Sequence, residues 1–115
     1  MGTTVLDAGA SPSPDLHLYA HCLRNHPGGV ALLAINADRA NALALQVSAK
    51  SERYSLTAKD LLGTEVDLNG GELKIGPNGD LPQFSGKPQA AGIVTFAPAS
   101  ITFLAIANAG NAGCR

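Results

Sequence analysis

Three histidines and a cysteine lie close together near the start of this 115-residue sequence, at His17, His21, Cys22 and His26. Imidazole and thiolate are ligands that zinc prefers in proteins. Leucine and small residues alternate with polar ones around His17, which predicts a β-strand. On a strand, His17 and His21 are about 13 Å apart at roughly 3.3 Å per residue, and Cys22 points to the opposite face. Zinc requires each donor atom within about 2.3 Å of one ion, so we predict no metal site. We interpret the histidines as surface or interface residues.

The same geometry argues against a nucleophile made of Cys22 and His21, because neighbouring strand residues project to opposite faces and do not readily share a proton. The carboxylates Glu52, Glu65 and Glu72 are candidates for a glycosidase acid and nucleophile, which must converge about 5 to 10 Å apart in a cleft. All three stand at strand ends or turns among polar residues, where solvated surface charge is expected. We therefore predict no catalytic residue in this chain.

The glycine-rich stretches at residues 69–71 and 76–79 lack the strand-to-helix context and the lysine of a phosphate-binding loop. We predict turns there and no bound cofactor.

Length and composition indicate one domain over residues 1–115 with an unusually uncharged surface. The sequence is 45% hydrophobic and 15% charged, against roughly 25% charged in ordinary soluble domains. A surface made to pack against a partner explains the shortage of charge. The net charge is −1 without long runs of either sign, so nucleic acid and membrane are not expected partners. No apolar stretch approaches the roughly 20 residues that span a bilayer, and residues 1–10 lack a secretory-signal pattern.

The elements that must position these side chains are short strands, since the hydrophobic pattern has a period of two and is interrupted by Gly, Pro and Asn. A nearly continuous apolar run predicts a buried central strand at residues 30–36, and three prolines predict a long irregular connection at 76–91. A helical turn fits only residues 57–62. We predict an all-β fold, a two-sheet antiparallel β-sandwich of about eight strands. The predicted strands cover residues 3–7, 16–23, 30–36, 43–47, 53–58, 66–68, 72–75, 92–96 and 101–107.

The two cysteines, Cys22 and Cys114, stand near opposite ends of the chain. If they are paired, the protein folds in an oxidising compartment. In the loop-entropy model such a bridge contributes about 4 to 5 kcal/mol. The alternative is two reduced thiols, with Cys22 buried and Cys114 in a frayed tail.

Several phrases of the sequence, in this order and spacing, resemble the C-terminal region of heparanase and the related β-glucuronidases, glycoside hydrolase family 79. They are LHLYAHC at 16–22, VALLAIN at 30–36, VDLNG at 66–70 with LK at 73–74, LP at 81–82 with KP at 87–88, and residues 96–107. The resemblance implies a β-sandwich attached to a (β/α)₈ barrel that carries both catalytic glutamates. It also implies a disulfide between Cys22 and Cys114. No residue of this chain matches either catalytic motif.

The sequence differs from animal heparanase in a shorter loop between Cys22 and Val30 and in having no Asn-x-Ser/Thr glycosylation signal. A bacterial relative fits these differences, and heparan sulfate specificity does not follow from the resemblance.

The leading hypothesis is a non-catalytic C-terminal β-sandwich of a heparanase-like retaining glycoside hydrolase, an endo- or exo-β-glucuronidase. Its partner is the (β/α)₈ barrel of the same enzyme, and glucuronide-containing glycans are contacted only through that barrel. The parent enzyme is expected to be secreted or periplasmic. One alternative is a glycan-binding module, which the lack of tryptophan and the assignment of most phenylalanines to core patterns disfavour. Another is an immunoglobulin-like structural or adhesion module.

Overall fold

Ten antiparallel β-strands make up most of the regular structure in the described part of the chain. The computed structural model describes residues 1–74, 76–80 and 84–115, and the only helix in that part of the chain is a 3-10 turn at Ala112–Cys114. The all-β prediction is confirmed. The strands are β1 Val5–Leu6, β2 Leu16–Cys22, β3 Val30–Asn36, β4 Leu43–Val47, β5 Ser51–Thr57, β6 Asp67–Leu68, β7 Gly71–Glu72, β8 Lys87–Gln89, β9 Gly92–Phe96 and β10 Ser100–Ile106.

The strands form two antiparallel sheets of unequal size. The large sheet has the order β1-β2-β3-β10-β5-β6-β7, with β8 also paired to β5, and the small sheet consists of β4 and β9 alone. The predicted two-sheet sandwich is therefore confirmed, although its second layer has only two strands. Among the described residues, no helix is long and apolar enough to cross a membrane.

Several strand ends are shifted from the predicted ones, as in β1, β5 and β10, and two further details of the strand prediction need correction. Residues 76–91 were predicted to be irregular, but β8 lies within them and pairs with β5 so that Pro88 is opposite Glu52. A proline without an N–H is tolerated there because β8 is a short edge strand. The hairpin predicted around residues 69–71 turns at Asn69 and Gly70, whose φ angles are 50° and 86°, and β7 already starts at Gly71. The last residue of the predicted 72–75 strand, Ile75, lies outside the described residues.

The hydrophobic core lies between the small sheet and one face of β2, β3 and β10. We call this face of the large sheet its inner face. Each large apolar side chain fully buried there stabilises the fold by about 1.5 to 3 kcal/mol. The buried members are Leu16, Ala34, Val47, Val94, Phe96, Leu104 and Ile106.

A buried amide fastens two loops at the edge of this core. Asn36, at the end of β3, is 1% exposed. Its Nδ2 donates to the carbonyl oxygens of Asn41, Phe96 and Ala97 at 3.0, 3.2 and 3.0 Å, and its Oδ1 accepts from the Asp38 N–H at 2.9 Å. A buried amide without these partners would destabilise the fold by about 1 to 3 kcal/mol. The hydrogen bonds therefore hold the turn after β3 against the corner between β9 and β10.

A second polar contact joins the two sheets. Arg53 lies on the inner face of β5, and its guanidinium carbon is 5.7 Å from the centre of the Phe96 ring. Its Nη2 donates to the Thr95 carbonyl on β9 at 2.7 Å, and its Nε donates to the Ser55 hydroxyl at 2.8 Å. The small sheet is therefore attached to β5 by a half-buried cation, where no apolar strand is available to extend the core.

A disulfide joins Cys22 at the end of β2 to Cys114 in the 3-10 turn, with 5.3 Å between the Cα atoms and 92 residues of sequence separation. The pairing implied by the family resemblance is present in the structure. The C-terminal segment is also held by the backbone, since the Gly28 N–H donates to the Cys114 carbonyl at 2.7 Å. The N-terminal segment meets the same point, because the Gly2 N–H donates to the Cys22 carbonyl at 2.7 Å. The bridge thus gathers both ends of the chain at one end of β2.

We predict that reducing this bridge lowers the free energy of unfolding by about 4 to 5 kcal/mol, because the unfolded chain regains the freedom of a long loop. Urea unfolding followed by circular dichroism, with and without reductant, measures the difference. The double variant Cys22→Ser with Cys114→Ser is the control, and its midpoint should not respond to reductant. Equal midpoints for the oxidised and reduced wild-type chain would contradict the prediction.

Candidate functional site

The large sheet has a second face, opposite the core, which no strand of the described chain covers. We call it the outer face. On β10, Thr102, Leu104 and Ile106 point to the core and are buried. Side chains alternate along a strand, so Ile101 and Phe103 point the other way. The outer face is thus a broad surface that the small sheet does not cover.

The strand registers arrange the outer-face residues in three rows across the sheet, since directly opposite residues of antiparallel strands share a face. Every position in these rows belongs to the described chain. The rows are His17-Ile35-Ile101-Leu56-Leu68, Tyr19-Leu33-Phe103-Tyr54 and Val5-His21-Ala31-Ala105-Glu52-Pro88.

The outer face is apolar at its centre, and its polar side chains lie on β2 and β5. Glu52 is the only carboxylate in the three rows, and they contain no lysine or arginine. Histidine and tyrosine stand at the β2 side, where Tyr19 is 51% exposed, while Ile101 near the middle is 40% exposed. An antiparallel sheet face that meets only water normally carries polar residues. An apolar centre with a polar rim, enriched in aromatic residues, is typical of a protein interface.

The outside of the small sheet differs from the outer face. Its four outward positions are Ala44 and Gln46 on β4 and Ile93 and Thr95 on β9, all exposed. Only Ile93 is a large apolar residue. Single exposed hydrophobic residues of this kind are normal on protein surfaces, whereas a contiguous patch is not.

A cavity of about 380 Å³ opens into the outer face between β10, β5 and β6. It is lined mainly by Phe103 of β10, Tyr54 and Leu56 of β5, Leu68 of β6, and by Met1 and Phe84. Phe84 is 58% exposed and forms the outermost wall. Two residues further on, Gly86 lies so close to the Tyr54 ring that a Cβ there would be 2.8 Å from Cζ. Only glycine allows the chain to lie this close to Tyr54.

Tyr54 and Glu52 form a hydrogen bond at the edge of the cavity, with the phenol donating to Glu52 Oε2 at 3.1 Å. Burial raises the pKa of Tyr54 above its ordinary value, and the hydrogen bond to Glu52 and the charge of that carboxylate raise it further. The phenol therefore keeps its proton directed at Glu52 throughout the neutral pH range.

The predicted metal-ligand candidates are separated in the structure. His17 is exposed on the outer face, while His21 Nδ1 lies 2.9 Å from the Gly2 carbonyl and His26 Nδ1 lies 3.1 Å from the Arg24 carbonyl. Cys22 is engaged in the disulfide, so it is neither a thiolate ligand nor a free nucleophile here. In the described ranges, no three His, Cys, Asp or Glu side chains are grouped so that they could hold a metal ion.

The three candidate carboxylates fall into two places. Glu52 lies on the outer face beside Tyr54, whereas Glu65 and Glu72 line a separate polar cavity of about 380 Å³ together with Lys59, Asp60 and Asp67. Glu65 and Glu72 are exposed, and Glu72 is 3.6 Å from the Lys74 ammonium. A glycosidase acid requires a carboxyl group in apolar, desolvated surroundings that faces a second carboxyl group across a cleft. The polar cavity is an open, hydrated surface and does not provide that environment.

Sequence reasoning assigned most phenylalanines to the core, and this is wrong. Only Phe96 is buried in the core, while Phe84 and Phe103 lie on the outer face side with both tyrosines. The available signal was the presence of large apolar residues at both odd and even positions of β3 and β10. Such strands are normally covered on both faces, and this chain covers one.

The fold is similar to parts of larger enzymes. It aligns with the structure of the thermostable GH51 α-L-arabinofuranosidase from Thermotoga petrophila RKU-1 at a TM-score of 0.51 and 16% identity, over 82% of this chain and 19% of that chain. An α-L-arabinofuranosidase from Thermotoga maritima aligns at a TM-score of 0.48 and 17% identity, over 84% of this chain and 20% of that one. This chain thus spans about a fifth of the length of these enzymes, and the likeness concerns the fold. A scan of protein-family models and a search of curated proteins find no match.

We predict that two residues on opposite faces of β10 differ strongly in the size of their response to substitution. Leu104→Ala should lower the free energy of unfolding by about 2 to 5 kcal/mol, because Leu104 is fully buried in the core. Ile101→Thr should change it by less than about 1 kcal/mol, since the outer face is open in the isolated chain. Urea unfolding of both variants measures the difference. Similar losses would mean that the outer face is as well covered as the core.

The phenol of Tyr54 gives a second prediction. Because the folded protein holds this proton to higher pH than the unfolded chain does, the associated stability is complete below the ordinary tyrosine pKa of about 10 and is lost as pH rises through the folded-state value. A spectrophotometric titration of the folded chain should show a late phenolate transition that Tyr54→Phe removes. Glu52→Gln should lower the pH of that transition, because the carboxylate charge is removed, but the part of the pKa shift that burial causes should remain. A Tyr54 transition at or below that of free tyrosine would contradict this account.

Proposed function

We propose that this chain is a non-catalytic accessory β-domain of a heparanase-like retaining glycoside hydrolase, an endo- or exo-β-glucuronidase. In this proposal its outer face packs against the catalytic (β/α)₈ barrel and stabilises it. The observation that carries the proposal is the apolar centre of the outer face, on strands whose other face is already buried in the core.

The size of the outer face supports a stable contact. Five strands at roughly 4.8 Å spacing and three rows at roughly 6.7 Å spacing give a flat area of about 500 Å². A typical monomer has a largest apolar patch of about 300 to 600 Å², and such patches are often functional. A standard protein interface buries about 800 Å² on each partner. The outer face provides most of that area once its side chains and rim are included.

The fold likeness supports a glycoside hydrolase as the parent enzyme, because the aligned structure at a TM-score of 0.51 is an α-L-arabinofuranosidase of which the matched part is 19%. The heparanase-like type rests on the sequence phrases at 16–22, 30–36 and 66–70, which correspond to β2, β3 and the hairpin that begins with β6. The substrate class, glucuronide-containing glycans, follows from that resemblance and would be contacted only through the barrel.

The disulfide supports a parent enzyme that is secreted or periplasmic. Bridges of this kind form and persist in oxidising compartments. A bridge that closes 92 residues restricts the unfolded chain strongly, which is the role of a structural disulfide.

One observation favours glycan binding as a second candidate function. Tyr19 and Phe84, both more than half exposed, lie on the outer face side together with Tyr54 and Phe103. Exposed aromatic rings can stack on sugars. Saturable binding of a soluble β-glucuronide oligosaccharide to the isolated chain, lost in Tyr19→Ala, would favour this function over barrel packing.

We predict that the purified chain alone does not hydrolyse a chromogenic β-glucuronide. When it is added to a heparanase-like catalytic barrel expressed without its own β-domain, we expect a complex on size exclusion and a higher thermal midpoint for the barrel, because the barrel regains its apolar contact. The control is Ile101→Lys, which places a charge at the centre of the outer face and should abolish the complex. Turnover by the chain alone, or failure of the wild-type chain to bind the barrel, would refute the proposal.

A further inference from the structure

The cavity in the outer face has the properties of a receptor for one side chain. Its volume of about 380 Å³ is more than twice the roughly 150 Å³ that accommodates benzene in an apolar protein cavity. That volume accommodates one bulky aromatic side chain together with the partner's backbone atoms next to it. A water-filled apolar space of this size has few hydrogen-bond partners to offer the water it contains.

The chemistry of the walls selects an apolar occupant. Among the described side chains that line the cavity, Tyr54 carries the only hydroxyl, amide or charged group, and its hydroxyl donates to Glu52. A charged or amide-bearing occupant would lose its hydrogen bonds to water without replacement, which is unfavourable. Aromatic edges and faces, in contrast, find the rings of Phe103, Tyr54 and Phe84.

The walls that stand on strands are also preorganised. Phe103 stands on β10, Tyr54 and Leu56 on β5, and these are paired along five residue positions. Gly86 lies against the Tyr54 ring and limits its movement on that side. A rigid pocket that a partner side chain can fill without reorganisation is the usual setting of an interface hot spot.

We infer that this cavity, which we call the anchor cavity, receives one aromatic side chain projecting from the catalytic domain, and that this contact dominates the affinity between the two domains. The inference rests on the proposed function, because the occupant is carried by the catalytic domain. It is continuous with the outer face, since Phe103 and Leu56 belong to both.

The test fills the anchor cavity from within. Ala105 lines it on β10, and Ala105→Leu places the protein's own side chain in the space. Ala44→Leu is the matched control, the same substitution on the exposed outside of β4. Isothermal titration of a heparanase-like barrel lacking its β-domain should show a Kd at least about 30-fold weaker for Ala105→Leu, the effect of removing a hot spot. Ala44→Leu should bind within about threefold of wild type.

A second pair keeps the test valid if Ala105→Leu unfolds at lower urea than wild type. Phe84→Ala removes an exposed wall of the anchor cavity, and Ile93→Ala is its counterpart on the small sheet. Only the first should weaken binding.

The outcomes separate the two proposals. If the wild-type chain and all four variants bind the barrel alike, the anchor cavity has no such occupant and this inference is overturned, while the proposed function stands. If the wild-type chain does not bind the barrel, both are overturned. Indole is the probe for a small ligand. The result that counts against the assigned occupant is a saturable indole-induced shift of the Leu56 and Leu68 methyl resonances, abolished by Ala105→Leu, in a chain that does not bind the barrel. That result would make the cavity a small-molecule site and overturn the assigned occupant.

Discussion

The structure depends on the alternation of side chains along β3 and β10. Both strands carry large apolar residues at odd and at even positions, so each presents hydrophobic side chains on both of its faces. The chain covers one of these faces with β4 and β9. It has no further layer of strands in its described part for the other. The unequal sandwich and its open outer face are two consequences of this one constraint.

A second layer of two strands provides little apolar area for a core. Polar contacts at the edges of the core add to the attachment between the two layers. The core proper is limited to residues facing β4 and β9. Beyond it, Asn36 joins the loops at one edge and Arg53 reaches from β5 to the Thr95 carbonyl at the other. The disulfide gathers both chain ends at β2 and stabilises the fold mainly by restricting the unfolded chain. A small domain with an incomplete core gains most from this kind of constraint.

Chemical groups and apolar surface are separated in this molecule. Glu65 and Glu72 lie among exposed polar residues, Cys22 is oxidised, and the histidines face backbone carbonyls or solvent. The outer face instead concentrates aromatic and aliphatic side chains around the anchor cavity. Recognition of another surface is therefore the activity that this arrangement favours.

The sequence by itself located most of the strands, because period-two patterning and turn residues act locally, and β3, β4 and β9 begin and end where the pattern predicts. It did not reveal β8, whose Pro88 is acceptable only because the strand lies at an edge beside β5. Nor did it place Phe103 and Phe84, since hydrophobicity indicates that a side chain avoids water but not which surface covers it. Only the tertiary structure decides that, because the number of strands in the opposing layer sets which of two apolar faces becomes core and which stays open.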